Sequence, residues 1–169
     1  DCSGCEAIAG TVTMSADTFC ISSDSVLVTF TDDGNSFEPQ PQFALSYILT
    51  RGDSNAIMAV DTLPQFYITE KGQYRIHVKI IDVLHISQEE IDSVEVGVTP
   101  LSFLHSFLQS GGGYRCGALD TIGIPFEVGT AESNIVSQVD ETCNLGNGSH
   151  KYLRIPWNKQ AEKIPYYIH

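Results

Sequence analysis

The sequence predicts an all-β protein: a two-sheet β-sandwich with one short helix and a β-prone C-terminal tail. Three observations predict it. Short runs rich in β-branched and aromatic residues recur along the chain, punctuated by Gly, Pro, Asp and Asn turn signals. One run alternates strictly, with Tyr74, Ile76, Val78 and Ile80 on one face and Arg75, His77 and Lys79 on the other. The first face is expected to pack and the second to be solvated. Helical spacing stands out in one place, where Leu101, Leu104, Phe107 and Leu108 follow Pro100.

Taken in order, the first expected strand is Gly10–Met14, followed by Ser25–Phe30, rich in Val and Phe. Asp32-Asp33-Gly34-Asn35 supplies a turn. A Pro-containing loop leads into Phe43–Thr50, and Arg51-Gly52-Asp53-Ser54-Asn55 turns the chain again. Ile57–Val60 and Gln65–Thr69 are expected strands on either side of Leu63-Pro64. The alternating strand Tyr74–Ile80 follows the turn Glu70–Gln73. Ser87-Gln88-Glu89-Glu90 reads as a capped helical turn or a polar loop. Val94–Val98 repeats the alternation and is expected to be a strand. Gly111-Gly112-Gly113 stops the helix. Ile122–Val128 is a further strand, and its Pro125 argues for an edge or a bulge. Lys151–Ile155 and Ile164–Ile168 are β-prone pieces of the tail.

The chain of 169 residues, 42% hydrophobic and 18% charged, is long and apolar enough for one domain with a core plus an appended segment. Its longest apolar runs are far too short to cross a bilayer. Asp1-Cys2-Ser3-Gly4-Cys5 lacks the basic and apolar regions of a signal peptide. The net charge of −12 disfavours nucleic acid as a partner, since phosphate binding needs clustered Lys and Arg. That charge is unevenly spread. Residues 1–143 carry twenty of the twenty-one acids and five of the nine bases; residues 144–169 carry Lys151, Arg154, Lys159 and Lys163 against Glu162. The chain therefore divides into an acidic body, 1–143, and a basic aromatic tail, 144–169. Opposite charges favour contact between them, within one subunit or between neighbours.

Five cysteines stand at 2, 5, 20, 116 and 143. Cys2-x-x-Cys5 has no second such pair and no His pair at zinc spacing, so a disulfide framework in an oxidising compartment fits better than zinc or redox chemistry. The favoured pairs are Cys5–Cys20 and Cys116–Cys143. Cys2 is left as a free thiol or a link to another chain.

Several phrases resemble a module repeated in large secreted proteins of the Bacteroidota. They are Cys5-Glu6-Ala7-x-Ala9-Gly10-Thr11, Asp17-Thr18-x-Cys20, Tyr47-x-Leu49-Thr50, Pro64-x-Phe66-x-Ile68-x-x-x-Gly72-x-Tyr74-x-Ile76-His77, Gly97-Val98-Thr99, and Gly111-Gly112-Gly113-Tyr114-x-Cys116-x-Ala118-Leu119-Asp120. The resemblance covers roughly residues 5–128. It implies an Ig-like sandwich exported by the type IX route, with a structural or adhesive role in surface adhesins and gliding-associated proteins and no enzymatic activity. The chain departs from the pattern in its extra Cys2 and in the basic tail beyond Cys143. Those departures favour a self-contained subunit with its own linking element over one bead in a string.

Catalytic motifs do not emerge. There is no Gly-x-Ser-x-Gly, no His-Glu-x-x-His and no phosphate-binding glycine loop. His77, His85 and His105 read as ordinary surface or packed histidines. Asp32, Asp33, Asn35 and Glu38 are a weak candidate for calcium; a solvated turn is the simpler reading. Arg51-Gly52-Asp53 matches an integrin-type tripeptide but reads as a turn. Bacteroidota attach O-glycans at Asp followed by Ser or Thr and a small or aliphatic residue, which makes Ser25, Thr62, Ser93 and Thr121 candidate sites. Asn147-Gly148-Ser149 matches an N-glycosylation acceptor.

The tail residues Tyr152, Ile155, Trp157, Tyr166, Tyr167 and Ile168 are suited to add a strand to a neighbour's open sheet edge. Repeated head to tail, that contact makes a filament. The expectation is therefore an extracellular filament or adhesin subunit whose partners are copies of itself. A carbohydrate- or surface-binding module, with Trp157 and exposed tyrosines as stacking platforms for surface glycans, is the alternative. No cofactor is expected.

Overall fold

The computed structural model describes residues 6–38, 41–85, 93–109, 116–133, 140–145 and 148–153. The strands are β1 (Val12–Thr13), β2 (Thr18–Ile21), β3 (Val26–Thr29), β4 (Thr31–Asp32), β5 (Phe43–Arg51), β6 (Ala56–Asp61), β7 (Gln65–Ile68), β8 (Gly72–Asp82), β9 (Gly117–Leu119), β10 (Ile124–Ser133), β11 (Asp140–Leu145) and β12 (Gly148–Leu153). One helix, α1, spans Leu101–Gln109. The protein is all-β and sandwich-like, as the alternation of its strands implies.

The larger sheet runs β12-β11-β10-β8-β5-β6, with β2 also paired to β10 and β9 to β8. Its spine is β5 against β8, an antiparallel pair in continuous register from Phe43↔Asp82 to Arg51↔Tyr74. The second layer consists of β3 paired with β7 and β1 paired with β4. Between the layers, Val12, Val28, Phe30, Phe66 and Ile68 pack against Tyr47, Leu49, Tyr74, Ile76, Val78, Phe126 and Val128. The aromatic rings interlock. Phe30 meets Tyr47 edge-on at 4.9 Å between centroids, and Tyr74 stacks on Phe126 at 5.6 Å.

The face of β8 expected to be solvated is covered. His77 is 0% exposed, and across it Ile48, Ile57 and Leu101 form a second apolar cluster that α1 helps to close. The helix that the spacing of Leu101, Leu104 and Leu108 predicts thus covers Ile48 and Ile57 on the outer face of the large sheet, while the Asp120–Gly123 loop covers His77. A sequence period of two identifies two faces but not what later segments lay over them.

Other differences have local causes. Val94–Val98 forms turns, not a strand. Gly97 sits at φ +79°, and Val98 and Thr99 both donate back to the Glu95 carbonyl. β2, β4, β9 and β11 stand where the sequence predicts no strand, because each is short or polar. Pro125 pairs with Arg75 on one side, while β2 begins pairing only at Glu127. Among the described residues no strand pairs with the other edge beside the proline, where a missing N–H costs little. The expected elements at Ser87–Glu90, the glycines at 111–113 and the piece at 164–168 lie outside the described residues.

Gly10 and Gly123 are among the glycines required by close approach. A Cβ on Gly10, at φ +67°, would meet the Ser36 nitrogen at 2.7 Å; one on Gly123, also at φ +67°, would meet the His77 ring at 2.5 Å.

Candidate assembly site

The C-terminal strands form a three-stranded extension of the large sheet. β10 pairs with β8 only through Val128↔Gly72; beyond that its Thr130–Ser133 pair with β11, from Thr130↔Asn144 to Ser133↔Glu141. β11 in turn pairs with β12, from Asp140↔Leu153 to Leu145↔Gly148. The boundary expected between body and tail at 143/144 falls inside this hairpin, because Cys143 pairs with His150. The first part of the tail, including Lys151 and Tyr152, is therefore a strand paired in cis. Ile155, Trp157, Tyr166, Tyr167 and Ile168 lie outside the described residues.

The sheet path ends at β12 on one side and β6 on the other, and among the described residues no strand pairs with either outer edge. Loop 97–100 covers only the start of β6. Ile57 donates to the Thr99 carbonyl at 2.9 Å, its own carbonyl accepts from Gly97 at 2.7 Å, and Ala56 bridges to Pro100. Val60, further along, is 48% exposed. Unpaired edges of this kind are templates for another strand.

Cys20 and Cys116 are both disulfide-bonded. The register corrects the expected partner of Cys116. Its carbonyl accepts from Asp82 at 3.0 Å, at one end of β8. Cys143 pairs with Ala131, beyond the Gly72 end. The length of β8 alone sets the two apart by roughly 30 Å, whereas disulfide Cα atoms lie within about 7 Å. The Cys116–Cys143 pair is thus not the one made. Cys2 and Cys5 lie outside the described residues.

The candidate glycan acceptors sit at strand ends and turns. Thr62, Ser93 and Thr121 are exposed, and Ser25 is half-buried just before β3. Two of the preceding aspartates shape their turns: Asp61 Oδ1 accepts from Leu63 N, and Asp120 Oδ1 accepts from both Ile122 N and Gly123 N.

Of the calcium candidates, Asp32, Asp33 and Asn35 are spent on a turn. Asp32 accepts from Gly34 N at 2.7 Å and from Ser36 Oγ at 2.9 Å; Asp33 accepts from Asn35 N and from Asn35 Nδ2. These bonds hold the Asp33 carboxyl below its usual range. Among the described residues no three His, Cys, Asp or Glu side chains gather as a metal set.

Arg51 of the Arg-Gly-Asp turn pairs with Glu70, donates to the Lys71 carbonyl and lies over the Tyr74 ring. His105 is half-buried on α1, and His85 ends a 3-10 turn after β8. His77 is built in. Its Nδ1 lies 2.9 Å from the Asp120 carbonyl, which can only accept, so Nδ1 carries the proton. Nε2 then accepts from Thr50 Oγ1 at 2.9 Å. Burial drives the His77 pKa down, consistent with a neutral ring.

A polar cleft of about 740 Å³ is lined by Asp17, Asp53, Gln73, Arg75 and Glu127. Its two aromatic rings, Tyr74 and Phe126, are only 3% and 4% exposed, so neither offers a face for a sugar to stack on.

Comparison with known proteins returns no match: no family model, no curated protein and no solved structure matches the chain. Among the described residues no helix is long and apolar enough to cross a membrane.

Proposed function

We propose that this chain is a structural subunit of an extracellular bacterial surface filament or adhesin, joined to its neighbours through its C-terminal segment. The observation that carries the reading is the outer edge of β12, at the end of the large sheet, with which no strand pairs among the described residues; the basic aromatic residues 154–169 follow directly in the sequence. An extended segment that pairs with a neighbour's open edge gains a ladder of main-chain hydrogen bonds. Its alternate side chains set the register. The acidic body supplies the complementary charge. The link is heterologous, so repetition gives an open polymer and not a closed ring.

The test compares the full chain with a form lacking residues 154–169, by negative-stain microscopy and sedimentation. The full chain is expected to form filaments or long oligomers, and the shortened form to sediment as a folded monomer. Polymerisation that persists without 154–169 sinks the proposal.

A further inference from the structure

The outer face of the large sheet does not close completely under α1. A pocket of about 530 Å³ remains between β5, β6 and β8 on one side and the helix on the other. Its walls are aliphatic and aromatic, and include Ile81 of β8 and Leu104, Phe107 and Leu108 of α1. Ser46 and Thr62 contribute hydroxyls, and Lys79 is the one charged residue among the described residues that line it.

Lys79 has no hydrogen-bond or ion-pair partner among the described residues. Among the described residues no unpartnered side-chain nitrogen is sealed in packed protein, so the ammonium borders open volume. Burial pushes its pKa down, and among the described residues no neighbouring carboxylate offsets it. Arg75, on the same face of β8, reaches away to the carbonyls of Ile122 and Gly123. An apolar pocket of this size with one convergent polar group has the form of a small-molecule site. The unmatched charge selects the ligand: a singly charged anion neutralises the ammonium, whereas a dianionic phosphate would leave net charge in an apolar surround.

We propose that this pocket binds a small aliphatic carboxylate, its chain against Ile81, Leu104 and Phe107 and its head group paired with Lys79. The site is separate from the sheet edges and does not depend on the assembly reading.

The probes are decanoate and 1-decanol, titrated calorimetrically into the full chain. The unmodified protein is expected to bind decanoate about tenfold or more tighter than decanol. Lys79→Met keeps the apolar stem and removes the charge. It is expected to abolish that preference while leaving decanol binding within about twofold. Leu104→Trp, which fills the pocket, is expected to weaken both ligands by about tenfold or more. Circular dichroism confirms that each variant is folded. Failure of the unmodified protein to bind decanoate overturns the proposal, as does a decanoate preference retained by Lys79→Met. Unchanged binding in Leu104→Trp places the ligand elsewhere and overturns it too.

Discussion

His77 illustrates how one residue can change meaning between sequence and structure. Its place in the Arg75-His77-Lys79 alternation assigns it to water, yet it is fully buried, and both ring nitrogens are bonded. Gly123 packs directly on the imidazole at a distance that no Cβ could share. The ring is held neutral because burial lowers its pKa below the unfolded value near 6.5. The unfolded chain therefore binds the extra proton. The stability tied to this group is complete above about pH 6.5 and is lost as pH falls from there toward the folded pKa. Urea unfolding at pH 7.5 and pH 5 is expected to show a steeper loss in the unmodified protein than in His77→Gln, by up to about 1.4 kcal/mol per pH unit. Equal slopes would mean that folding does not lower the His77 pKa. The difference between proteins is the readout, because twenty-one carboxyls also titrate.

At the scale of elements, the C-terminal hairpin differs from the rest of the sheet. β5 and β8 are each flanked by strands and buried on both faces. β11 and β12 instead extend the sheet past Gly72, where β8 no longer runs alongside. Thr142 pairs with Glu132 on one side and Lys151 on the other, so a proline there removes a ladder hydrogen bond whichever edge its nitrogen faces. Thr142→Pro is expected to abolish slow amide exchange in residues 140–153 while leaving it intact in β5 and β8. Loss of protection throughout would show that the hairpin and the sandwich fold as one cooperative unit. Most central strands were legible from alternation and turn residues. β2 and β11 are not, since Phe19 and Ile21 in the one and Cys143 and Leu145 in the other are single alternating pairs, too few to establish a period. Val94–Val98 had the period without the strand, because Gly97 takes a left-handed conformation and turns the backbone out of a ladder.

For the whole molecule, the division of charge is the most direct lever on assembly. If the basic tail of one subunit docks on the acidic body of another, salt must weaken the contact. The screening length falls from about 10 Å at 0.1 M to about 3 Å at 1 M. The concentration needed for polymerisation is expected to rise between 0.05 and 0.5 M salt, measured by light scattering. A concentration that is flat or falling with salt would assign the contact to apolar burial instead. The amino-acid sequence by itself determined the strand-rich class, the position of the helix, the charge asymmetry and the turn at Asp32–Asn35. Each is a local property, set by residue type and by spacing over a few positions. Only the tertiary structure decided which faces are covered. α1 lies over the sheet face that carries His77 and Lys79, β8 sets Cys116 apart from Cys143, and the expected tail boundary falls within a hairpin. Those outcomes depend on contacts between residues far apart in the chain, and no local pattern records them. The candidate assembly segment is thus visible in the sequence as a β-prone basic stretch, while the edge at β12, unpaired among the described residues, and the pocket beside Lys79 exist only once the strands have found their register.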